Sequence, residues 1–307
     1  MTLQELLAQA QNQLLTADVA YGHGTANAHD EAVWLVLWSL GLALDSDTQS
    51  LAQQAVTPEQ AQQALALVQQ RISTRKPAAY ITQEAWLQGV PFYVDERVIV
   101  PRSFIAEMIA NAPEADCLDE WLGEHTQRVL DLCTGNGSLA VLAAMAWPEV
   151  QVDAADISAD ALAVAQININ RHDLQDRIRL VQSDGWQQLP ERYDLVLCNP
   201  PYVSRHSMDI LPAEYRAEPR ISLDGGLQGG ADGMDFIRDF LAQATQHLHP
   251  HGVVVLEIGN EREHFERAFP NLPCEWPATS AGVGPLVLIS AEALQWWQSA
   301  PDLGLAT

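Results

Sequence analysis

The stretch Tyr193-Asp194-Leu195-Val196-Leu197-Cys198-Asn199-Pro200-Pro201-Tyr202 decides how the chain is read. Its apolar run has the length of a buried strand, and two prolines end it, because proline donates no ladder hydrogen bond. Open α/β sheets carry their chemistry in the crevice at the carboxyl ends of the strands, which is where Asn199 then falls. The Asn199 side chain offers one carbonyl acceptor and the Pro200 backbone carbonyl a second. Two acceptors on a stiff turn suit the two N–H bonds of a planar NH2 group. Tyr202 adds a flat face against which an amide or a base can stack. For these four residues alone, the alternative is a strand-to-loop turn with no chemistry.

Around this strand the sequence alternates between strands and helices. Residues 129–133 read as a strand, followed by the glycine turn Thr134-Gly135-Asn136-Gly137 and an Ala-rich helix from Leu139. Residues 150–156 form a second strand, 158–170 a helix, 178–181 a third strand and 195–198 the fourth. A helix over 234–249, a fifth strand over 252–258 and a late strand over 285–290 follow. Repeated β–α units imply an α/β fold with a parallel, doubly wound sheet and right-handed crossovers.

The first part of the chain has another texture. Leu3, Leu6, Leu7 and Ala10 make an apolar stripe at helical spacing. Residues 30–44 read as a buried helix with Asp30 as N-cap, and Thr57 caps a further helix with Pro58 at its first position. Residues 1–83 are thus expected to be a small N-terminal helical domain. Within it, Tyr21-Gly22-His23-Gly24-Thr25 reads as an interhelical loop, since a phosphate cradle wants a preceding strand and a following Lys-Ser/Thr. Residues 84–102 alternate around Gln88-Gly89 and read as a β-hairpin linker. Residues 103–307 form the sheet-bearing domain, opening with a helix expected over 104–122.

With 307 residues, the chain has room for about two domains. Its 16 basic and 40 acidic residues give a net charge of −24, which repels nucleic-acid phosphates unless a local basic patch exists. A basic protein substrate fits this charge, and so does an organism with an acidic proteome. The four cysteines form no C-x-x-C pair, and Cys133 and Cys198 sit in strand-like contexts expected of reduced core residues. The N-terminus lacks the basic start and apolar core of a signal peptide. The longest apolar stretch, 32–44, is too short to span a bilayer, so a cytoplasmic protein is expected. His247, His249 and His251 lack an acidic or Cys partner at metal-ligand spacing, and no metal is expected there. Trp296 and Trp297 read as packing at the start of a frayed tail.

Three acids complete the pattern. Asp131 opens the glycine loop, whose G-x-G lacks the third glycine of the dinucleotide fingerprint. Asp156 ends the second strand about twenty residues after the glycine turn, where dinucleotide folds place the carboxylate that holds ribose hydroxyls. Ser183-Asp184-Gly185-Trp186 ends the third strand, where the acid can accept from an adenine amino group and the indole can lie nearby. Each acid alone can equally be a helix cap or a solvated loop residue. Together, each after its own strand, they favour an adenosyl ligand beside an amino-group site.

Asp131-x-x-x-Gly135-x-Gly137, Asp156, Asp184 and Asn199-Pro200-Pro201-Tyr202 resemble the motif series of S-adenosylmethionine-dependent methyltransferases acting on amide or exocyclic nitrogen. More closely, the chain resembles the N5-glutamine methyltransferases that modify ribosomal protein L-three (uL3) of the large subunit. The closer likeness lies in 21–25, 30–33, 92–98, 100–103 and Glu214-Tyr215-Arg216-x-Glu218-Pro219, and so covers most of the chain. It implies a Rossmann-like, seven-stranded sheet with one antiparallel strand near its end, and S-adenosyl-L-methionine as cofactor. It assigns the cofactor to Asp131, Thr134, Gly135 and Gly137 in the first loop, and to Asp156, Ile157, Asp184, Gly185, Trp186 and Asn199 beyond it. Asn199, Pro200 and Tyr202 become catalytic, and Asn199, Pro200, Pro201, Tyr202 and Glu218 hold the substrate. Protein L-three, free or in ribosomal precursors, is the implied partner, without direct nucleic-acid recognition, membrane or metal. Three rivals remain on residues alone. They are a release-factor substrate, an adenine-N6 nucleic-acid methyltransferase that flips its base, and a ribosome-assembly binding protein with a vestigial site.

Overall fold

The computed structural model describes residues 1–112, 115–123, 126–226 and 230–299. It opens with α1 (Leu3–Ala17), α2 (Ala28–Ser39), α3 (Pro58–Thr74) and α4 (Ala78–Thr82). Thr2 and Glu5 form a reciprocal capping box at α1, and Thr57 and Gln60 form another at α3, so two otherwise orphaned N–H groups are met at each start. The α2 cap is Asn27 and not Asp30. The Asn27 Oδ1 accepts from the backbone N–H of His29 and Asp30, which puts Asp30 inside the first turn. Leu3, Leu6, Leu7, Ala10 and Leu14 turn inward against Ala32, Leu35 and Val68, the core of this helical layer.

β1 (Glu84–Leu87) and β2 (Val90–Tyr93) form an antiparallel hairpin whose turn, Gln88-Gly89, has positive φ at both residues. The helix expected over 104–122 is shorter. α5 covers only Ile105–Ile109, and a 3-10 turn covers Leu118–Trp121. Asn111 is left-handed at φ +51°, and Pro113 in the sequence disfavours helical backbone at the residue before it.

The remaining elements are β3 (Arg128–Leu132), α6 (Ser138–Ala146), β4 (Gln151–Asp156), α7 (Ala159–Arg171), β5 (Ile178–Gln182), β6 (Tyr193–Cys198) and α8 (Arg205–Ile210). They continue with α9 (Asp235–His247), β7 (Leu248–Glu257), α10 (Arg262–Ala268), the short pair β8 (Ala278–Thr279) and β9 (Gly282–Val283), β10 (Leu286–Ser290) and α11 (Ala291–Ser299). The sheet order is β10-β7-β6-β3-β4-β5, all parallel except β10, which runs antiparallel to β7. Six strands, not seven, pair in this sheet among the described residues. At the edge beyond β10, Glu275 and Leu288 make one antiparallel bridge with two 2.9 Å hydrogen bonds. Pro273 and Pro277 flank Glu275 and deny that segment the donors a full strand needs.

Both faces of the sheet are covered. α5 and α6 cover one face through Ile105, Met108, Leu139 and Val141, and α9, α10 and α11 cover the other through Ile237, Leu241, Phe265 and Leu294. Trp297 is part of that second layer, its indole N–H donating to the Pro270 carbonyl at 3.0 Å, while residues 300–307 lie outside the described residues. No helix among the described residues is long and apolar enough to cross a membrane. The strand order reverses between β3 and β6, the position at which an open α/β sheet leaves a crevice beyond its strand ends.

The helical layer is tied to the loop after β6 by buried charge. Arg71 is fully buried, with Nε 2.7 Å from Glu31 Oε1, Nη1 3.3 Å from Glu214 Oε1, and Nη2 donating to the Ala20 carbonyl at 2.7 Å. Arg71→Met leaves Glu31 and Glu214 buried without this partner. Loss of one member of such a group costs about 3–5 kcal/mol, so the urea unfolding midpoint should fall clearly below that of the parent chain.

Candidate active site

The glycine turn after β3 starts the site. Cys133, Gly135 and Gly137 all have positive φ, and a Cβ on Gly137 would come within 3.1 Å of the Ala165 Cβ on α7. That close approach lets α6 start directly beneath the turn. Asp131 is buried behind it, and its Oδ2 accepts from the Thr134 hydroxyl at 2.5 Å and from Ala140 N–H at 3.0 Å. Its Oδ1 has no hydrogen-bond partner among the described residues, and burial pushes the carboxyl up to about 7. At the end of β4, Asp156 accepts from Gly135 N–H at 3.0 Å and from Ser158 N–H at 2.9 Å. Burial raises its pKa in spite of these bonds.

Two cavities meet at Asn199. The smaller, of 170 Å³, is lined by Gly135, Asp156, Ile157, Asp184, Gly185 and Asn199, with Phe236 of α9 among its other walls. The larger, of 610 Å³, is lined by Asn199, Pro200, Tyr202, Arg102, Tyr215 and Glu257, and Gly22 of the helical layer also reaches it. Pro201 turns to the smaller cavity and Pro200 to the larger. The Tyr202 ring rests on Gly259, where a Cβ would come within 2.7 Å of it, and its hydroxyl donates to Glu257 Oε1 at 3.4 Å. Desolvation and the Glu257 charge both raise the Tyr202 pKa, so the phenol stays protonated.

The sequence-based site residues are thus mostly gathered, in two tiers. Six of the cofactor set line the smaller cavity, while Asp131, Thr134 and Gly137 stand behind the turn and shape it. Trp186 does not join them. Its indole is buried between Phe240, at a centroid distance of 5.1 Å, and His247, at 4.5 Å, and its N–H donates to the Phe240 carbonyl. The apolar surface of α9 captures it, and the aromatic face that reaches the cavity is Phe236. Glu218 lines neither cavity. Its carboxylate takes two bonds from Arg102, at 2.6 and 2.7 Å, and one from Val100 N–H at 2.9 Å, and lies 3.5 Å from His23 Nε2. Burial alone would raise its pKa, but Arg102 holds it down at about 2. Arg102 therefore faces the cavity where the acid was expected.

Glu257 and Phe236 were absent from the sequence reading. Glu257 carried a usable signal, since it closes the apolar run of β7 as Asp156 closes β4. Phe236 carried none, because one aromatic on an amphipathic helix reads as core. Of the histidine run, His247 stacks on Trp186, while His249 and His251 stack on each other at 6.0 Å and His251 Nε2 lies 3.0 Å from Asp194 Oδ1.

A family model described as "Methyltransferase small domain" matches residues 114–214, which include the glycine turn, both strand-end acids and the Asn-Pro-Pro-Tyr turn. Fold and match together define an α/β methyltransferase, whose methyl donor is S-adenosylmethionine. The ribosomal protein uL3 glutamine methyltransferase of Burkholderia pseudomallei is 46% identical over 301 residues, covering 95% of each chain. The protein of the same name from Bordetella pertussis is 48% identical over 297 residues, covering 95% of this chain and 96% of its own. That from Neisseria meningitidis serogroup B is 42% identical over 295 residues, covering 95% and 94%. The chain belongs to the family of ribosomal protein uL3 glutamine methyltransferases.

The residues of the smaller cavity suit this donor. Asp156 and Asp184 offer acceptors for hydroxyl and amino groups, and Phe236 a flat wall. At Gly135 and Gly185 the backbone is bare, with nothing within 4 Å of where a Cβ would stand. The core placement of Trp186 has a direct consequence. Trp186→Phe should leave the dissociation constant for S-adenosylhomocysteine, read by calorimetry, within about twofold and lower the melting temperature. A tenfold weaker complex, about 1.4 kcal/mol, would instead make the indole part of the ligand site.

Proposed function

We propose that this enzyme methylates the side-chain amide nitrogen (N5) of a glutamine in ribosomal protein uL3. The observation that carries the reading is the position of Asn199, which lines both cavities at once. On this reading the smaller cavity holds S-adenosylmethionine through Gly135, Asp156, Ile157, Asp184, Gly185 and Asn199, and the larger receives the glutamine. The bound donor supplies an electrophilic methyl group on a sulfonium.

The protein's task is to make a poor nucleophile react. An amide lone pair is delocalised into its carbonyl. Asn199 Oδ1 and the Pro200 carbonyl accept the two N–H bonds, and these bonds strengthen as positive charge develops on nitrogen. That difference between ground and transition state is what accelerates the reaction. Tyr202, backed by Gly259 and steadied at Glu257, presents its ring to the amide plane. Fixing nitrogen at the junction of the cavities adds the proximity contribution.

The helical segment 1–83 is assigned to substrate recognition. Gly22 reaches the larger cavity, and Arg71, Arg75 and His23 anchor the loop bearing Glu214 and Glu218. The net charge of −24 favours a basic protein over a nucleic acid. The three relatives carry uL3 in their names, and the same reading extends to a part in ribosome assembly.

The test is transfer of labelled methyl from S-adenosylmethionine, offered separately to purified uL3, a peptide-chain release factor and DNA. Label on uL3 alone, mapped to a glutamine side chain, is the expected result, and label on either other substrate overturns the substrate assignment. Asn199→Ala should lower kcat by about a hundredfold or more, as for loss of one transition-state hydrogen bond. Donor affinity should be retained, and a variant that loses only donor affinity would contradict the role given to Asn199.

A further inference from the structure

We propose that Glu257 takes the proton from the substrate nitrogen during methyl transfer, an inference that rests on the amide-methylation reading above. Methylation leaves nitrogen with a positive charge and one proton too many. The two groups that hold the amide, Asn199 Oδ1 and the Pro200 carbonyl, are amide oxygens and far too weakly basic to keep it. Among the described residues lining the larger cavity, Glu257 is the only carboxylate, and no histidine lines it.

Its placement follows from sheet register. β6 and β7 are parallel with Cys198 paired to Leu256, so Asn199, the first residue past β6, and Glu257, the last of β7, lie at the same end of neighbouring strands. The two oxygens of Glu257 are used differently. Oε2 accepts from the Ser103 hydroxyl at 2.5 Å and from Phe104 N–H at 3.0 Å, which fixes the carboxylate. Oε1 takes a long 3.4 Å bond from the Tyr202 hydroxyl, and no closer donor to it is present among the described residues, which leaves it acceptor capacity. Carboxylates of the smaller cavity are committed elsewhere. Asp156 holds the glycine turn, Asp184 accepts from Gln187 Nε2 at 3.3 Å and is assigned to the donor, Asp224 pairs with Arg220, and Asp235 accepts from Gly230 N–H.

The protonation range suits the role. Burial pushes the Glu257 carboxyl up to about 7, against the lowering effects of Ser103, the Phe104 and Ile105 N–H groups and Arg102. The facing groups are Arg102 at the end of the linker and Ser103 just after it, the Tyr202 phenol from the loop after β6, and Glu261 beyond β7, whose charge reaches Tyr202. A base with this pKa is ionised in useful amount at neutral pH and can still hold a proton.

In the balanced step, the nitrogen lone pair forms the new N–C bond while the C–S bond breaks and its electron pair stays on sulfur. One N–H proton then leaves its bond to Asn199 Oδ1 or the Pro200 carbonyl and passes to Glu257 Oε1. A sulfonium and a carboxylate become a thioether and a carboxylic acid, the product amide is neutral, and the proton leaves to water when Glu257 ionises again.

The experiment is single-turnover methyl transfer to uL3 across about pH 5.5–8.5, comparing the parent enzyme with Glu257→Gln and Glu257→Asp. Only the ionised carboxylate accepts, so the parent rate should rise with pH through an inflection near 7 and level off above it. Asp131 is also pushed to about 7, so the inflection alone does not single out Glu257. Glu257→Gln should abolish it and lower the plateau by about a hundredfold, the low end for general-base catalysis, with donor and uL3 affinities within about twofold. Glu257→Asp should keep a pH-dependent limb at reduced rate, which a purely structural role would not produce. In infrared difference spectra, the protonated-carboxyl signal that disappears above neutral pH should be weaker in Glu257→Gln than in the parent by the contribution of one carboxyl, with that of Asp131 remaining. A Glu257→Gln enzyme with the parent pH profile overturns the proposal while leaving glutamine methylation intact. A parent enzyme that methylates no glutamine overturns the reading beneath it, and the proposal with it.

Discussion

Proline cannot donate to a sheet ladder, and the arrangement of this site depends on that constraint. Pro200 and Pro201 stop β6 at Cys198 while β3 ends at Leu132 on one side and β7 at Glu257 on the other. Asn199 is therefore delivered to the strand ends beside the point where sheet order reverses. Pro200 and Pro201 face opposite cavities, so one rigid turn forms part of two walls. A longer, regular β6 would carry its hydrogen-bonding groups into a ladder and leave no free acceptors at the crevice.

The turn works against a surface that other parts of the chain must hold in place. Glu218 is bonded by Arg102 and Val100 of the linker and neighbours His23 of the helical layer, while Glu214 is held by Arg71 and Arg75. Both carboxylates, Arg71 and His23 are buried while Arg75 and Arg102 keep partial contact with solvent, so the cost of burying the charges offsets much of their attraction. Their value here is positional. They fix the 214–218 loop so that Tyr215 stands at the larger cavity, with its ring 5.4 Å from the Arg102 guanidinium carbon, and with Gly22 close to its hydroxyl. A side chain at position 22 would collide with that hydroxyl at 2.5 Å. The helical layer and the sheet thus close one cavity together.

Much of this could be read in the sequence, for identifiable reasons. β6, the glycine turn and the acids ending β4 and β5 declare themselves because strand ends, left-handed glycines and lone carboxylates leave local traces. Antiparallel β10 came only from family likeness, since four apolar residues and a serine carry no direction. Where local reading failed, tertiary packing decided. Trp186 followed a cavity-side acid in sequence, yet α9 offered it more apolar surface and a carbonyl for its N–H. Glu218 looked like a substrate ligand until Arg102, more than a hundred residues earlier, occupied both its oxygens. Asp30 lost the α2 cap to Asn27, whose side chain reaches two backbone N–H groups at once.

The central claim is that one strand-end turn grips a glutamine amide on one side and borders the methyl donor on the other. A crystal structure with S-adenosylhomocysteine and a glutamine-containing uL3 peptide tests it most directly. The account expects the amide nitrogen within hydrogen-bond distance of Asn199 Oδ1 and the Pro200 carbonyl, with the donor's sulfur in the smaller cavity facing that nitrogen. A glutamine bound with its amide away from Asn199, or a donor seated in the larger cavity, would contradict it.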